Sequence, residues 1–477
     1  MKVLVASAEV APFFKVGGLG DVAGSLPIEL VKNNVDARVI LPKYGRINEK
    51  YTNEMEYLTH IYIKMGWRSQ YCGVFKLVQN GVTFYFIDNE YYFNADSVYS
   101  GIREDVERYI FFSKAVLAVL QCIDFYPDVL HCNDWQTGLI PVLLKAHYYN
   151  DSRYTNIKTL MTIHNLKFQG RYSIDFVSDL ADLPEDYFTP DKLEFYRDAN
   201  LLKGGIVYAD RINTVSPTYV EEIKDRYAGE GLDGMLFARR DSLSGIINGI
   251  NYDEYNPETN PMLEVNFNRR NFVSKKRENK VLLQKDLHLP QNEQTMMISM
   301  VSRLTEQKGF DLLECIIEEL LNDDIQLVVL GTGDARYENM LKHFAWKYPE
   351  KLSAQVKFDT WLSHKLYAAS DAFLMPSQFE PCGLSQMIAM HYGTVPIVRE
   401  TGGLKDTVMP YNEYEDTGYG FSFTHYNAHD MLHTIRYAEQ IYQNAKAWQS
   451  LQRRCMAQDF SWTQSARSYI ALYESMI

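Results

Sequence analysis

The sequence predicts an α/β protein made of two Rossmann-like, doubly wound domains, with the active site in a cleft between them. Short apolar runs alternate with helical patterns along residues 1–250, the periodicity stops over 251–261, and the alternation then starts afresh. Parallel sheets impose this order, because each crossover helix covers strands that are buried on both faces.

In the first domain the runs 2–7, 37–41, 129–132, 160–163 and 211–215 read as strands, and 22–30 reads as the helix after the first of them. The apolar start, Met1-Lys2-Val3-Leu4-Val5-Ala6, is cut short by Glu9 and reads as a buried strand, not a leader. Asn80-Gly81, between 74–78 and 82–87, marks one antiparallel hairpin. Turn formers accumulate over 251–261, as at a domain boundary. The second domain follows with strands at 297–301, 326–330, 355–358, 372–375 and 395–398 and a helix over 311–321. Near the C-terminus Ala466, Tyr469, Ile470, Leu472, Tyr473 and Ile477 form an apolar stripe at helical spacing. That stripe must bury itself, but periodicity does not say against which domain.

Composition narrows the function. The 477 residues are 46% hydrophobic and 23% charged, with a formal charge of −13. This acidic balance, without a basic stripe interleaved with aromatics, excludes nucleic acid as a partner. Six cysteines without a C-x-x-C pair argue against a zinc or disulfide framework and fit a reducing cytoplasm. No run approaches the roughly 18 apolar residues of a membrane span, so no membrane partner is expected.

Ligands of doubly wound sheets sit outside the carboxyl ends of the strands, so the loops there hold the candidates. After the first strand comes Lys15-Val16-Gly17-Gly18-Leu19-Gly20-Asp21. Its glycines let backbone amides approach a diphosphate and Lys15 adds a full charge, although a tight turn that binds nothing has the same look. In the second domain Ser302-Arg303-Leu304-Thr305-Glu306-Gln307-Lys308-Gly309 puts two cations five residues apart at a strand end, a clamp for a leaving diphosphate or a solvated pair. The densest signal is Phe379-Glu380-Pro381-Cys382-Gly383-Leu384-Ser385, a carboxylate and a glycine opening a helix, which Arg399-Glu400-Thr401-Gly402-Gly403-Leu404 echoes. Acceptor-side candidates are His131-Cys132-Asn133-Asp134-Trp135, His164-Asn165 and Asn248-Gly249, each of which could equally be core. His425, His429 and His433 beside Asp430 read as a solvated helix face. The chain has no Asp-x-Asp triplet to hold a divalent ion on a nucleotide sugar, so lysine and arginine must do that work and no metal or other cofactor is expected.

In this order the motifs resemble those of the bacterial glycogen synthases and the related plant starch synthases. Residues 15–21 match the K-x-G-G-L-x-D signature, 380–384 match E-P-C-G-L, and 399–408 match R-x-T-G-G-L-x-D-T-V. Thr162-Ile163-His164-Asn165 and Val215-Ser216-Pro217-Thr218-Tyr219 match further blocks, so the likeness spans essentially the whole chain. It implies the GT-B fold, with the last helix crossing back to the first domain. The domains are then 1–246 plus 458–477, for acceptor and catalysis, and 247–457, for the nucleotide sugar.

The implied reaction moves glucose from ADP-glucose, with retention, to the non-reducing end of an α-1,4-glucan such as glycogen. By resemblance, Lys15, Arg303 and Lys308 bind the diphosphate, while Glu380, His164 and Asn248 position the glucose. Asp21 and Ser385 line the nucleotide site, and Gly17, Gly18, Asn165, Cys382, Gly383 and Leu384 complete the substrate contacts. Glu380, His164, Lys308 and Arg303 form the catalytic set. Fixed cations and helix N-termini would stabilise the departing diphosphate, and a carboxylate the positive charge on the sugar. Two positions depart from related patterns: Ile388 stands where other retaining transferases have a second glutamate, and Asn251 where the family has an aspartate. Rival readings are another GT-B retaining transferase using UDP-glucose or a small acceptor, and a non-catalytic glucan-binding protein. Intact Lys15, Lys308 and Glu380 speak against the latter.

Overall fold

The computed structural model describes residues 1–94, 99 and 101–477. The chain divides into two compact units, residues 1–249 with 462–477, and residues 250–461. Unit 1 contains β1 (Lys2–Ala6), β2 (Asp36–Pro42), β3 (Glu56–Met65), β4 (Arg68–Gln79), β5 (Val82–Asp88), β6 (Val129–Asn133) and β7 (Lys158–Ile163). A short β8 (Arg171–Ser173), β9 (Glu194–Phe195) and β10 (Asp198–Asn200) follow, then β11 (Arg211–Thr214) and β12 (Leu243–Gly245).

Nine of these strands form one sheet in the order β12-β11-β7-β6-β1-β2-β5-β4-β3, parallel up to β5 and antiparallel beyond it. The continuous apolar runs reflect burial on both faces: Val3, Leu4, Val5 and Ala6 of β1 are all buried. The hairpin forms at the expected dipeptide, with Asn80 at φ 51° and Gly81 at φ 79°, the pair of left-handed residues a two-residue turn of this twist requires. The small sheet β8-β10-β9 lies outside this array.

The helix Trp462–Glu474 belongs to unit 1, where it packs against the helix Gly18–Lys32 and buries Trp462, Ala466, Tyr469 and Tyr473. Polar tips pin the apolar stripe. The Tyr473 hydroxyl meets His131 Nδ1 at 2.8 Å, Asn213 Nδ2 donates to the Tyr469 hydroxyl at 3.2 Å, and Ser465 Oγ donates to the Ile247 carbonyl at 2.6 Å. His131, a candidate for acceptor contact, is therefore a core residue: its other nitrogen meets Thr162 Oγ1 at 2.7 Å and the side chain is buried.

Unit 2 holds β13 (Met296–Val301), β14 (Ile325–Leu330), β15 (Leu352–Gln355), β16 (Ala372–Met375), β17 (Val395–Arg399) and β18 (Phe421–Phe423) in one parallel sheet ordered β15-β14-β13-β16-β17-β18. The expected strand at 355–358 lies three residues earlier. Its ladder ends where β14 ends, at Leu330 opposite Gln355, so Phe358 falls in a loop with its ring 92% exposed. Among the described residues no helix is long and apolar enough to cross a membrane.

Candidate active site

In unit 1 the glycine-rich segment forms the turn into the helix Gly18–Lys32, with Gly17 at its N-cap. The expectation that its amides stand open for a diphosphate needs a correction. Val16 N and Gly17 N both donate to Glu9 Oε2, at 2.7 and 3.0 Å, so those two donors are occupied by a buried carboxylate of the same chain. Lys15 pairs with Asp21 at 2.8 Å on the half-exposed rim of the loop. The glycines differ in purpose. A Cβ at Gly20 would lie 2.4 Å from the Lys15 Cβ, and one at Gly24 2.3 Å from the Ala11 carbonyl, so these two serve packing. A Cβ at Gly17 would meet nothing within 4 Å among the described residues, so packing against them does not require a glycine there.

At the carboxyl ends of β6 and β7 a polar cluster replaces the core. Asn133 Nδ2 donates to the Ala6 carbonyl at 3.1 Å, which turns its Oδ1 toward His164 Nε2 at 2.9 Å. His164 thus carries its proton on Nε2. Burial pushes its pKa down to about 3, so the ring is neutral at working pH. Its Nδ1 is then a buried lone pair with no hydrogen-bond partner among the described residues. Asn248 Oδ1, three residues beyond β12, is a second buried acceptor in the same condition. Both acceptors lie at strand ends of the same sheet and can take O–H or N–H groups from outside the chain. Asn165 closes an Asx turn through Oδ1 to Lys167 N at 3.1 Å, which leaves its amide nitrogen as a donor.

Asp134 holds this corner. Its Oδ1 accepts from His164 N at 2.7 Å and Asn165 N at 3.4 Å, and its backbone sits at φ 55°, a strained position for a residue with a side chain. Burial raises its carboxyl pKa to about 7 against the two backbone hydrogen bonds, helped by the charge of Glu9. Folding therefore favours the protonated form, and the group's contribution to stability, complete below its ordinary value of 3.8, is lost as pH rises through about 7. Asp134→Asn removes the charge, keeps an acceptor for His164 N and tolerates positive φ. It is expected to raise stability at pH 8 by on the order of 3 kcal/mol, with little gain at pH 4, while lowering turnover. Thermal melts at the two pH values check this; an equal shift at both would refute the raised pKa.

In unit 2 the two motif loops meet. Lys308 Nζ lies 2.5 Å from Glu380 Oε2, to which Ser377 Oγ also donates at 2.9 Å, and both Lys308 and Glu380 are mostly buried. Gly309, at φ 80°, turns the chain from the short Glu306–Lys308 helix into the helix Phe310–Leu320, and a Cβ there would lie 2.3 Å from the Pro376 carbonyl. Arg303 stands exposed at the end of β13. Cys382 is buried, Gly383 takes φ 71°, and Leu384 and Ser385 are half-buried at the start of the helix Ser385–His391. Gln386 secures the turn from behind, donating to the carbonyls of Cys382 and Gly383 and to Thr407 Oγ1, each at 3.0 Å. The echoing glycines have another task than expected. A Cβ at Gly402 would strike the Glu380 carbonyl at 2.0 Å, one at Gly403 the Cys382 carbonyl at 2.1 Å, and the Gly403 amide already donates to Glu380 O. They bring the helix Gly402–Thr407 close behind the Glu380 loop.

These loops have counterparts in known proteins. Residues 2–238 match the starch synthase catalytic domain family and 285–454 the glycosyl transferases group 1 family. A glycogen synthase of Lachnospira eligens is 57% identical over 99% of both chains, and one of Clostridium acetobutylicum 53% identical over the full length of both. The chain belongs to the glycogen synthase family. It is a glycosyltransferase that moves glucosyl groups in glycogen synthesis, on the GT-B fold. Among solved structures, the catalytic domain of starch synthase IV from Arabidopsis thaliana, bound to ADP and acarbose, matches with a TM-score of 0.92 and 31% identity, over 100% of this chain and 99% of that one. Sucrose-phosphate synthase from Thermosynechococcus elongatus shares the fold alone, at TM-score 0.61 and 16% identity over 99% of this chain and 98% of that one. Motif reading had no signal for Glu9 or Gln386, which act through hydrogen bonds to motif backbone. For Asp134, the strained φ singles out one member of a stretch that sequence could only nominate whole.

Proposed function

We propose that the glucosyl donor is ADP-glucose and that the enzyme adds its glucose, with retention, to the non-reducing end of an α-1,4-glucan. What carries the reading is two buried acceptors at strand ends of unit 1 that have no donor among the described residues, His164 Nδ1 and Asn248 Oδ1, in a chain whose other motif loops hold Lys15 and Lys308, each on a carboxylate it can exchange for phosphate. Acceptors of that kind suit sugar hydroxyls; lysines and an arginine suit a diphosphate. A nucleotide sugar has both parts.

In this reading His164, Asn248 and the amide nitrogen of Asn165 hold hydroxyls of the transferred glucose, and unit 1 takes the acceptor. Lys15, Arg303 and Lys308 take the diphosphate, with Gly17 and Gly18 giving its oxygens room. Asp21 and the Cys382-Gly383-Leu384-Ser385 turn line the nucleotide, unit 2 carrying most of it, and the exposed ring of Phe358 offers a face for the base. Glu380 gives up Lys308 as the diphosphate arrives and turns its charge to the sugar, whose ring becomes positive as the bond to phosphate breaks. The departing phosphate is the base for the acceptor hydroxyl. ADP in the related starch synthase IV structure supports the donor assignment, and acarbose there supports a glucan-like acceptor. Cysteines outside any disulfide, Cys72, Cys132 and Cys455 among those buried, accord with a reducing, cytoplasmic setting.

Transfer of radiolabel from ADP-glucose and from UDP-glucose to glycogen, each with and without excess chelator, tests the proposal. ADP-glucose is expected to give at least about tenfold higher kcat/KM, unchanged by chelation, since cations do the work of a metal. Preference for UDP-glucose, or loss of activity on chelation, overturns it.

A further inference from the structure

A buried carboxylate without a countercharge needs a reason, because removing an ion from water costs several kcal/mol unless hydrogen bonds compensate. Glu9 is 5% exposed, and among the described residues it forms no ion pair with lysine or arginine. Three hydrogen bonds to it compensate. Val16 N and Gly17 N reach Oε2 at 2.7 and 3.0 Å, and the Tyr99 hydroxyl donates to Oε1 at 2.6 Å. Gln136 Nε2 in turn donates to the Tyr99 oxygen at 3.1 Å, and Ser7 Oγ steadies the Glu9 backbone by accepting from its amide and donating to its carbonyl.

The rest of the loop is pinned at its ends. Val10 N bonds Phe14 O, Ala11 N bonds Gly20 O, and Gly20 N bonds Gly17 O. Between those anchors Lys15 and Val16 project into solvent, and the amides just after Lys15 are directed at Glu9. The side chain of Lys15 is gripped from below as well, since Gly20 leaves room for its Cβ. A lysine in a glycine-rich loop would otherwise sample many backbone states, and each state excluded before binding is entropy not lost on binding.

We infer that Glu9 is a positioning residue: its carboxylate ties down the amides of Val16 and Gly17 and so holds Lys15 ready for the diphosphate of the donor. This rests on the reading of Lys15 given above. Glu9 does not touch the donor. The two amides that a phosphate-binding loop would offer to its ligand serve here as the handle by which the protein grips the loop, and Lys15 is left to supply the charge.

The test is a double-mutant cycle on the full chain. Glu9→Gln preserves shape but faces one of its three donors with an amide N–H. It is expected to lower kcat/KM for ADP-glucose at least about tenfold through KM, to leave KM for glycogen within about twofold, and to speed hydrogen exchange at Val16 and Gly17 at least about tenfold. In the Lys15→Ala background the same substitution is expected to cost less than about twofold, because the group it positions is gone. Tyr99→Phe, which removes one hydrogen bond and leaves Oε2 on the amides, is expected to act in the same direction by about threefold and guards against a Glu9 variant that does not fold. Equal losses in both backgrounds, or unchanged exchange at the two amides, overturn the inference alone. A Lys15→Ala enzyme with unaltered kcat/KM for the donor overturns the reading of Lys15 as well.

Discussion

Replacing Lys308 by alanine is expected to lower kcat roughly 100- to 1,000-fold, on the order of 3 to 4 kcal/mol, the usual cost of removing one fixed donor from a site where negative charge develops. The structure adds a second consequence. Lys308 is the countercharge of Glu380 at 2.5 Å, and both lie largely out of water, so alanine leaves a carboxylate that keeps, among the described residues, the hydrogen bond from Ser377 Oγ. Stability must fall too, because stranding one partner of a buried pair costs more than the pair contributes. The double variant Lys308→Met with Glu380→Gln separates the effects. Removing both charges is expected to restore the melting midpoint to near that of the parent while turnover stays low, since neither the diphosphate nor the sugar charge is then met. Steady-state kinetics with thermal melts decide it. If the single variant keeps near-parent turnover, or the double variant recovers it, the pair is structural and the diphosphate clamp lies elsewhere.

Deleting residues 462–477 is expected to unfold unit 1, although no motif residue is removed. The helix Trp462–Glu474 buries Trp462, Ala466, Tyr469 and Tyr473 against the first unit. At roughly 1.5 to 3 kcal/mol for each large buried side chain, the loss approaches the whole stability of a typical domain, about 5 to 15 kcal/mol. Two core groups lose partners as well: His131 Nδ1 faces Tyr473, and Asn213 Nδ2 donates to Tyr469. Tyr473→Phe tests the polar part without breaking the packing and is expected to cost about 1 to 3 kcal/mol. Urea unfolding of the three proteins provides the measurement. A chain ending at residue 461 that melts with the parent and stays active would contradict the packing described.

Much of the architecture was legible in order along the chain. Buried parallel strands must be apolar on both faces, so β1, β2, β13 and β14 announce themselves, and Asn80-Gly81 names its own turn because few residues adopt two consecutive positive φ values. Strand ends were legible only to within a few residues. The run at 355–358 is apolar enough for a strand, but a strand needs a partner, and β14 ends opposite Gln355.

Motif strings likewise placed Lys15, His164, Lys308 and Glu380 on loops at strand ends, where the structure has them. What a string cannot contain is the direction of each hydrogen bond. His131 and His164 both sit at strand ends in similar company. One is held on both sides in the core, by Thr162 and by a tyrosine 342 positions away; the other keeps a lone pair without a partner among the described residues. Glu9 looks like any polar residue after a strand until the fold brings two amides from seven and eight positions on to its carboxylate. The glycines at 402 and 403 look like an anion cradle until the Glu380 loop closes on them. In each case local sequence set the residue's chemistry, and packing between segments distant along the chain decided which of its atoms were occupied and which were left for a ligand. Periodicity reports that a side chain is buried; only the tertiary structure supplies the partner.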